Sequence, residues 1–241
     1  MSKTVHEPSR HEIWKMFDQI SPTYDRVNRV ITLGMDQLWR KRMCRFLPER
    51  EDLCVLDCAT GTGDQILCLM EHSSRVKRVV GIDLAAEMVA LGEKKLKNKP
   101  YREAIELKVA SALDIPFPDG TFDCVTMSFG IRNVTDVATC LKEFLRVLKP
   151  GGRILILEGT IPRPRVLRSV HRFYLRHLLP RLGGWISKKQ EAYRYLNETI
   201  ETFPHGEAFV ALMRSAGCAR AALHLLMGGI VTIYQGEKGD A

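Results

Sequence analysis

A glycine-rich loop follows the first strongly apolar segment of the chain and could hold a nucleotide-like ligand. The stretch VLDCATGTGD at 55–64 is typical of a buried strand that ends in an acid, Asp57, and leads into a loop with Gly61 and Gly63. Glycines permit unusual backbone angles and let a ligand approach the main chain. Such loops hold ligands at the carboxyl end of the first strand of an α/β sheet. A plain strand-to-helix turn is the alternative.

Two ligand classes use this kind of loop, and the neighbouring residues distinguish them. A dinucleotide fingerprint needs a third Gly or Ala three residues after the second Gly, where this chain has Ile66. A pyrophosphate would lie at the helix N-terminus, where Asp64 would repel it. The loop therefore favours a ligand with an adenosine and cationic groups but no phosphate. S-adenosylmethionine (SAM) has these features, and NAD does not.

Further polar residues follow the next strand-like segments. Asp83 ends the second segment, and its carboxylate could accept both hydroxyls of an adenosine ribose, although a helix N-cap is the alternative role. Ser111 and Ala112 follow the third segment, where an adenine would be edged by backbone amides and small side chains. The stretch SFGIRN at 128–133 follows the fourth. Together they predict a ligand crevice along one sheet edge.

Alternating apolar and helical segments must position these residues. This pattern predicts a mainly parallel sheet with helices on both faces, closed by an antiparallel hairpin at its edge. The predicted strands lie at 53–58, 78–83, 105–109, 122–127, 153–158, 222–226 and 230–235. Helical segments precede the sheet at about 12–20 and 36–47, and Asp36 is a candidate N-cap. Thr135 is the candidate N-cap of the helix that follows the fourth strand.

Composition narrows the class of protein. The chain has 241 residues, 45% hydrophobic and 27% charged, which is typical of a packed globular domain. No apolar run approaches the roughly 20 residues of a membrane span, and MSKTVHEPSRHEIW at 1–14 lacks the apolar stretch of a signal peptide, so we expect a cytoplasmic protein. The seven cysteines form no CxxC and the seven histidines have no ligand spacing. We therefore expect neither a disulfide framework nor a metal site.

The positive charge is concentrated in one segment. The net charge is +8, and residues 159–190 contain eight basic residues and no acid. The basic residues are Arg163, Arg165, Arg168, Arg172, Arg176, Arg181, Lys188 and Lys189. An apolar face of Val166, Val170, Phe173, Leu178 and Leu182 accompanies them. This pattern indicates a basic amphipathic helix that contacts a membrane surface or covers an apolar substrate, or else a solvated helix that packs on the domain.

Two further functions compete with a SAM-dependent enzyme. A nucleic-acid methyltransferase would suit the sequence pI of about 9.2, but the charge outside residues 159–190 is balanced. A non-catalytic lipid-binding module would explain the basic helix, but not the ordered polar residues at the strand ends. We therefore expect no nucleic-acid partner.

Six pieces of the chain resemble one enzyme family in the same order. They are MFDQISPTYDRVN at 16–28, VLDCATGTGD at 55–64, PFPDGTFDCVTMSFGIRN at 116–133, RVLKPGGRILILE at 146–158, YRYLNETIETFP at 193–204 and GGIVTIYQGEK at 228–238. The chain resembles the demethylmenaquinone and ubiquinone-biosynthesis C-methyltransferases, which are class I SAM-dependent methyltransferases. The FGIRN and YLNETIETFP pieces are more specific than the glycine loop.

The resemblance implies a Rossmann-like fold and a reaction. It implies a seven-stranded, mainly parallel sheet with an antiparallel edge strand and methylation of a demethylmenaquinol ring carbon, or of a benzoquinol in the ubiquinone pathway. SAM would be the co-substrate, without a metal. A polyprenylated quinol would be the substrate and the membrane surface a peripheral contact, and homo-oligomerisation stays open. The expected division is a helical extension at 1–50, a SAM-binding core at 51–158, a basic lid at 159–204 and a C-terminal helix and hairpin at 205–241.

The resemblance also implies roles for individual residues. SAM contacts are expected from Thr62, Asp83, Ser111, Ala112 and Ser128, while Gly61 and Gly63 shape the loop. Arg132 and Asn133 are expected to act in catalysis together with Tyr24. A guanidinium stays protonated, so we expect Arg132 to stabilise a phenolate while water carries the proton. A structural clamp between Arg132 and Asp25, or another acid, is the alternative.

Overall fold

The sheet that positions the site has seven strands. The computed structural model describes residues 13–187 and 190–240. The strands are β1 (Leu53–Cys58), β2 (Val76–Asp83), β3 (Ile105–Val109), β4 (Phe122–Ser128), β5 (Leu148–Gly159), β6 (Arg220–Leu226) and β7 (Val231–Glu237). Their order is β3-β2-β1-β4-β5-β7-β6, and β7 runs antiparallel to both of its neighbours. The predicted mainly parallel sheet with an antiparallel hairpin at one edge is confirmed.

Ten α-helices surround the sheet in the described part of the chain. They are α1 (Ile13–Ile20), α2 (Tyr24–Ile31), α3 (Met35–Met43), α4 (Asp64–His72), α5 (Ala86–Leu96), α6 (Val137–Val147), α7 (Arg165–Phe173), α8 (Leu179–Ser187), α9 (Gln190–Thr202) and α10 (Glu207–Ser215). A π-helical turn, Tyr174–Leu178, joins α7 to α8. Residues 1–12, Lys188, Lys189 and Ala241 lie outside the described residues, so the predicted role of those two lysines is not addressed.

The central strands are apolar because the sheet is covered on both faces. All seven residues of β4 are buried, as expected for an internal parallel strand. Side chains alternate between the faces, so Val55 packs in one core with Trp39 and Leu69, while Leu56 packs in the other with Phe144. The two cores hold the strand ends, and therefore the loops after them, in a fixed arrangement.

A third apolar cluster lies above the carboxyl edge of the sheet. It joins Ile20 and Val27 of the N-terminal helices to Leu175, Leu179 and Ile200 of the segment after β5. We call the helices α1, α2, α7, α8 and α9 the helical cap. Because the cap combines segments about 140 residues apart in sequence, its packing against the sheet edge creates an enclosed space that no single segment could form.

Two predicted helix caps are wrong by one or two residues. The N-cap of α6 is Asp136, whose Oδ1 accepts the backbone N–H of Thr139 at 3.0 Å, rather than Thr135. The N-cap of α3 is Gly34, in a left-handed conformation, and Asp36 instead lies buried in the first turn, paired with Arg29. Side-chain caps satisfy free N–H groups, but the Asp36 carboxylate instead forms an ion pair with Arg29.

None of the helices in the described residues has the length and apolar character that a membrane crossing requires. No group of three or more His, Cys, Asp or Glu residues with a metal-binding arrangement occurs in the same part of the chain.

Candidate active site

The loop after β1 is held from below by a buried acid. The two carboxylate oxygens of Asp57 accept hydroxyl hydrogen bonds from Thr60 and Thr126, both at 2.6 Å. Burial raises the pKa of Asp57 to about 6, against the lowering effect of these two hydroxyls. Ala59 and Gly61 above it both have left-handed backbone angles, with φ of 51° and 56°. The loop is therefore fixed from inside the protein, which leaves its outer side open to a ligand.

Asp83, at the end of β2, bridges this loop and the next helix. Its Oδ2 accepts the backbone N–H of Gly61 at 2.8 Å, and its Oδ1 accepts that of Ala85 at 2.9 Å. Burial raises the pKa of Asp83 above its ordinary value. The N-cap position of α5 is Ala85 itself, so Asp83 is not the helix cap that the alternative role required. Its oxygens retain lone pairs for two further donors.

A cavity of about 250 Å³ lies along the carboxyl edge of the sheet. We call it the strand-edge cavity. Five of the predicted SAM-site residues line it together, from the ends of β1, β2, β3 and β4: Gly61, Asp83, Ser111, Ala112 and Ser128. Trp14 and Phe17 of α1 cover it from the other side. The structure thus brings together residues that lie up to 67 positions apart in sequence.

Thr62 and Gly63 are placed differently. Neither lines the strand-edge cavity. Thr62 is buried, its hydroxyl donates to Asp25 at 2.6 Å and it accepts from the Lys95 ammonium at 2.8 Å. Gly63 is the N-cap of α4, with a φ of 81°. Both residues shape the loop, and direct contact of Thr62 with SAM stays a prediction.

The charge of Asp64 is balanced by two cations. Its carboxylate pairs with Arg29 and Lys95, each at 2.8 Å. Burial opposes ionisation, but Lys95, Arg40 and Arg29 outweigh it and lower the pKa of Asp64 to about 2. Repulsion of a pyrophosphate by this residue is therefore weaker than the sequence indicated.

Ile66 is the stronger evidence against a dinucleotide. It is fully buried, and its Cδ1 would lie 2.7 Å from a Cβ on Gly81 of β2. In a dinucleotide fold, a glycine on the helix permits close packing on the strand. Here the glycine is on the strand and the bulky residue is on the helix.

The loops after β1 and β4 come into close contact at Gly130. A Cβ at this position would lie 2.7 Å from the Cβ of Ala59 and 3.1 Å from Cγ of Met127. Phe129, the preceding residue, has a left-handed φ of 59°, which is uncommon for an aromatic residue. Its ring packs beside Trp39 and beneath the Arg40 guanidinium, with centroid distances of 6.2 Å and 5.4 Å. These contacts fix the position of the Phe129 ring at the edge of the strand-edge cavity.

A second and larger cavity, of about 440 Å³, lies between the sheet edge and the helical cap. We call it the cap cavity. Its walls are mainly apolar, with Ile31, Trp39, Leu175 and Ile200 among them. Its floor is polar and contains Tyr24, Arg132, Asn133 and Glu158. Such a cavity suits an aromatic ring with polar substituents on an apolar body.

The two cavities share one wall. Phe17, Tyr24, Phe129 and Asn133 line both of them. Tyr24 is half-buried, and its ring packs edge-on against Phe17 at a centroid distance of 6.1 Å. Burial raises the pKa of Tyr24 above its ordinary value, against the effect of a hydrogen bond with Asn28. Groups held in the two cavities would therefore meet at this wall.

Arg132 is part of a buried ion pair. Its Nη1 donates to Oε1 of Glu158 and to the carbonyl oxygen of Phe129, the latter at 2.8 Å. The predicted alternative, a clamp between Arg132 and Asp25 or another acid, holds for another acid, Glu158, and not for Asp25, which pairs with Lys95. Glu158 was missed in the sequence, where it appears only as the last residue of the apolar run ILILE. An acid that directly ends a buried central strand was the available signal.

The exposed side of α7 carries apolar side chains. Val166, Val170 and Phe173 are 80%, 62% and 58% exposed, while Leu175 of the following turn is buried in the third core cluster. The alternative in which the predicted apolar face packs on the domain is therefore wrong. Leu33 and Met227, on two neighbouring turns, are 89% and 49% exposed and line the mouth of the cap cavity. We call these five residues the apolar rim.

Comparisons with known proteins identify relatives of this chain in sequence and in fold. The model of the ubiE/COQ5 methyltransferase family matches residues 3–238. A ubiquinone/menaquinone biosynthesis C-methyltransferase of Geobacter sulfurreducens is 45% identical over 224 residues, which cover 93% of this chain and 87% of that protein. A demethylmenaquinone methyltransferase of Thermus thermophilus is 41% identical over 92% of this chain and all of that protein. The crystal structure of a SAM-dependent methyltransferase from Aquifex aeolicus has a similar fold, with a TM-score of 0.61, 20% identity and coverage of 88% and 97% of the two chains.

Proposed function

Since this chain belongs to the ubiE/COQ5 methyltransferase family, we propose that it transfers a methyl group from SAM to a ring carbon of a demethylmenaquinol, giving menaquinol. The same chemistry on a benzoquinol of the ubiquinone pathway is the second candidate, because the names of the similar proteins include both quinone classes. The observation that carries the proposal is the wall shared by the two cavities. It would let a donor and an acceptor react while each remains in its own cavity.

The lining of the strand-edge cavity suits the chemistry of SAM. Asp83 has lone pairs for the ribose hydroxyls, and Ser111 and Ala112 lie where a flat base would be edged by small groups. Ser128 and Gly61 also line this cavity. When bound, SAM supplies a methyl group made electrophilic by its attachment to a sulfonium. The absence of a Cβ at Gly130 keeps the base of this cavity open, because a side chain would collide with Ala59.

The cap cavity fits the quinol. A ring carbon becomes nucleophilic when a neighbouring hydroxyl loses its proton, so the protein must stabilise a phenolate. Arg132 supplies a permanent positive charge at the floor. Asn133 and Tyr24 lie at the wall shared with the strand-edge cavity, where the quinol ring must approach the methyl donor. Burial of Arg132, which is 6% exposed, strengthens its interaction with a developing negative charge.

The apolar rim suits the polyprenyl tail and a membrane surface. Leu33, Val170 and Met227 line the mouth of the cap cavity and are exposed, so a tail that leaves the cavity would pass among them. Exposed arginines of α7, including Arg165 and Arg172, accompany the rim. Apolar side chains beside basic ones favour contact with anionic lipid. We therefore propose that residues 159–204 form a lid that works at the membrane surface.

A methyl-transfer assay tests the proposed reaction. Purified protein is incubated with SAM and, separately, with a reduced demethylmenaquinol and a reduced demethyl-benzoquinol, and products are identified by mass. We expect a methylated naphthoquinol. Methylation of the benzoquinol alone would favour the second candidate, and methylation of neither would refute the proposed reaction. Calorimetric titration should show binding of SAM but not of NAD.

A vesicle-binding assay tests the membrane contact. The variant Arg165→Ala/Arg168→Ala/Arg172→Ala should bind anionic vesicles more weakly than the unmodified protein, because each basic residue near such a surface contributes about 1 kcal/mol. The matched control removes three exposed lysines that line neither cavity, Lys77, Lys94 and Lys97. Equal binding by both triple variants would refute the contact. Sedimentation without lipid tests whether a second copy of the chain, and not a membrane, covers the apolar rim.

A further inference from the structure

Glu158 is a buried carboxylate at the floor of the cap cavity that the mechanism above does not use. It ends the buried run of β5, and its exposure is 0%. One oxygen, Oε1, accepts from Arg132 and from the backbone N–H of Gly159, the latter at 2.8 Å. The other oxygen, Oε2, has no hydrogen-bond partner among the described residues. Because Glu158 lines the cavity, we expect the donor for this oxygen to come from a ligand held there.

Three unsatisfied atoms cluster at this floor. Besides Oε2 of Glu158, Nε of Arg132 and Oδ1 of Asn133 are buried without a hydrogen-bond partner in the described part of the chain. Buried polar atoms in folded proteins are rarely left without a partner. Two of these atoms are acceptors and one is a donor. A ring with two hydroxyl groups carries enough donors and acceptors to match all three, since each hydroxyl both donates and accepts.

The other groups at this floor are poorly suited to accept a proton. The Arg132 guanidinium is always protonated, and Asn133 is not a base. Burial raises the pKa of Tyr24 and so disfavours its phenolate. Asp36 also lines the cavity, but its oxygens accept from Arg29 and from the Thr32 hydroxyl.

We propose that Glu158 is the catalytic base, and this inference rests on the proposed function. The O–H bond of the quinol hydroxyl beside the reacting carbon breaks, its electron pair stays on oxygen, and the proton bonds to Oε2. The oxyanion re-forms a C=O bond as the ring carbon bonds the methyl group, and the electron pair of the C–S bond stays on sulfur. The ring C–H proton then leaves to water while the carbonyl oxygen takes back the proton from Oε2. One proton is released overall, and Glu158 is ionised again.

The charged and titratable groups around Glu158 come from several of the elements that enclose the cavity. Arg132 pairs with it directly, and Tyr234 of β7 is close enough for Glu158 to contribute to the raised pKa of that phenol. The further titratable groups that line the cavity are Tyr24, Asp36, Arg40, His171, Tyr174 and Tyr195. Any pH profile must therefore be compared between variants that differ at Glu158 alone.

The test compares the unmodified protein with Glu158→Gln. Glutamine can still accept from Gly159 and Arg132 but cannot take a proton, so we expect kcat to fall by about 10²–10⁴-fold. The Kd for SAM should change less than about twofold. In this variant hydroxide must remove the proton, so kcat should rise by about tenfold per pH unit from pH 7 to 9. Above pH 7 the unmodified protein should show no such slope.

A matched variant separates loss of a base from loss of a buried charge. Asp123 is also buried and paired with a cation, Lys149, but it lies at the opposite end of the sheet and lines neither cavity. Asp123→Asn should alter stability without introducing the alkaline slope. If Glu158→Gln does not fold, Glu158→Asp keeps the charge beside Arg132 and withdraws the carboxylate by one methylene. We expect its kcat to fall at least tenfold.

The outcomes distinguish the two proposals. If the unmodified protein methylates no quinol, the proposed function fails. If it does so and Glu158→Gln keeps its kcat within threefold and lacks the alkaline slope, Glu158 is not the base, although the proposed function stands. Full activity of Glu158→Asp would contradict the inference in the same way.

Discussion

The strand-edge cavity and the cap cavity differ in how they are built. The first is formed mainly by short loops at the ends of β1 to β4, with backbone groups and small side chains at its rim. The second is formed by large side chains from three distant stretches, 16–40, 129–159 and 167–231. A donor common to many enzymes can be recognised by local loop geometry. Recognition of one acceptor requires helices that only the complete fold brings together.

The cavities also differ in how their charges are compensated. Around the strand-edge cavity, Asp83 and Asp57 have both oxygens engaged by backbone or hydroxyl donors. At the floor of the cap cavity, Glu158 and Arg132 compensate each other and each keeps an unsatisfied atom. The first site is largely satisfied before ligand binding, whereas the second is completed by its ligand. Variants that act on only one of the two sites should separate these behaviours.

The largest expected effect is at the ion pair of the cap cavity. Arg132→Ala would leave the Glu158 carboxylate buried and unpaired, which should lower the free energy of unfolding by about 3–5 kcal/mol. Turnover should be lost while SAM affinity is retained, since Arg132 does not line the strand-edge cavity. Denaturant unfolding, turnover and calorimetry measure the three quantities. The double variant Arg132→Met/Glu158→Leu should recover stability but not activity, and unchanged turnover in Arg132→Ala would remove that residue from the mechanism.

Two acids beside the glycine loop should give opposite pH dependences. Asp57 has its pKa raised to about 6, so its folded form holds a proton that the unfolded chain loses near pH 4. Stability should fall by up to about 3 kcal/mol as pH rises from 4 to 6. Asp64 has its pKa lowered to about 2, so its contribution of about 2 kcal/mol is present above pH 4 and lost as pH falls from 4 to 2.

Single variants isolate these two contributions. Unfolding free energies of Asp57→Asn and Asp64→Asn, measured from pH 2 to 7, should each lack one of the two slopes. Retention of the upper slope in Asp57→Asn would show that another group causes it.

A methyl group at Gly130 should damage the strand-edge cavity alone. Its Cβ would lie 2.7 Å from Cβ of Ala59, and overpacking of this kind costs about 1–3 kcal/mol. We therefore expect Gly130→Ala to weaken SAM binding about 5- to 150-fold in calorimetry. Adding Ala59→Gly should restore affinity, because it removes the opposing methyl group and relieves the left-handed alanine. Gly239→Ala, whose added Cβ would lie 3.6 Å from Ala219, is the control and should bind normally.

The smallest expected effect is at the mouth of the cap cavity. Leu33 has a φ of 52° and is 89% exposed, so its side chain stabilises little while its backbone is strained. Asparagine tolerates this conformation, and we expect Leu33→Asn to raise the free energy of unfolding by about 0.5–1 kcal/mol. The same variant should bind anionic vesicles more weakly. A gain of equal size from Leu212→Asn, on the exposed face of a helix, would show that strain relief is not the cause.

Much of the fold could be predicted from the sequence. The bounds of β1 and β3 agree with the structure, because a short run of strand-forming residues between turn residues has a clear pattern. The ends of helices were less predictable. Asp136 and Thr135 are both good caps, and only the local backbone determines which one accepts the N–H of Thr139.

The site residues that directly follow strands could be predicted from the sequence. Asp83, Ser111 and Ser128 each follow a strand, and parallel strands bring their carboxyl ends to one edge. Thr62 could not be placed, because its partners Asp25 and Lys95 lie more than 30 positions away in opposite directions along the chain.

The sequence by itself determined the parallel sheet, the glycine loop and the set of strand-end residues, since each depends on apolar periodicity or on neighbouring residues. Only the tertiary structure determined that Arg132 pairs with Glu158, that Tyr24 and Asn133 lie between two cavities, and that the apolar side of α7 stays exposed. These features arise from packing between distant segments. Burial and partner choice are properties of that packing, and a linear pattern of residue types does not encode which distant segment will cover a given side chain.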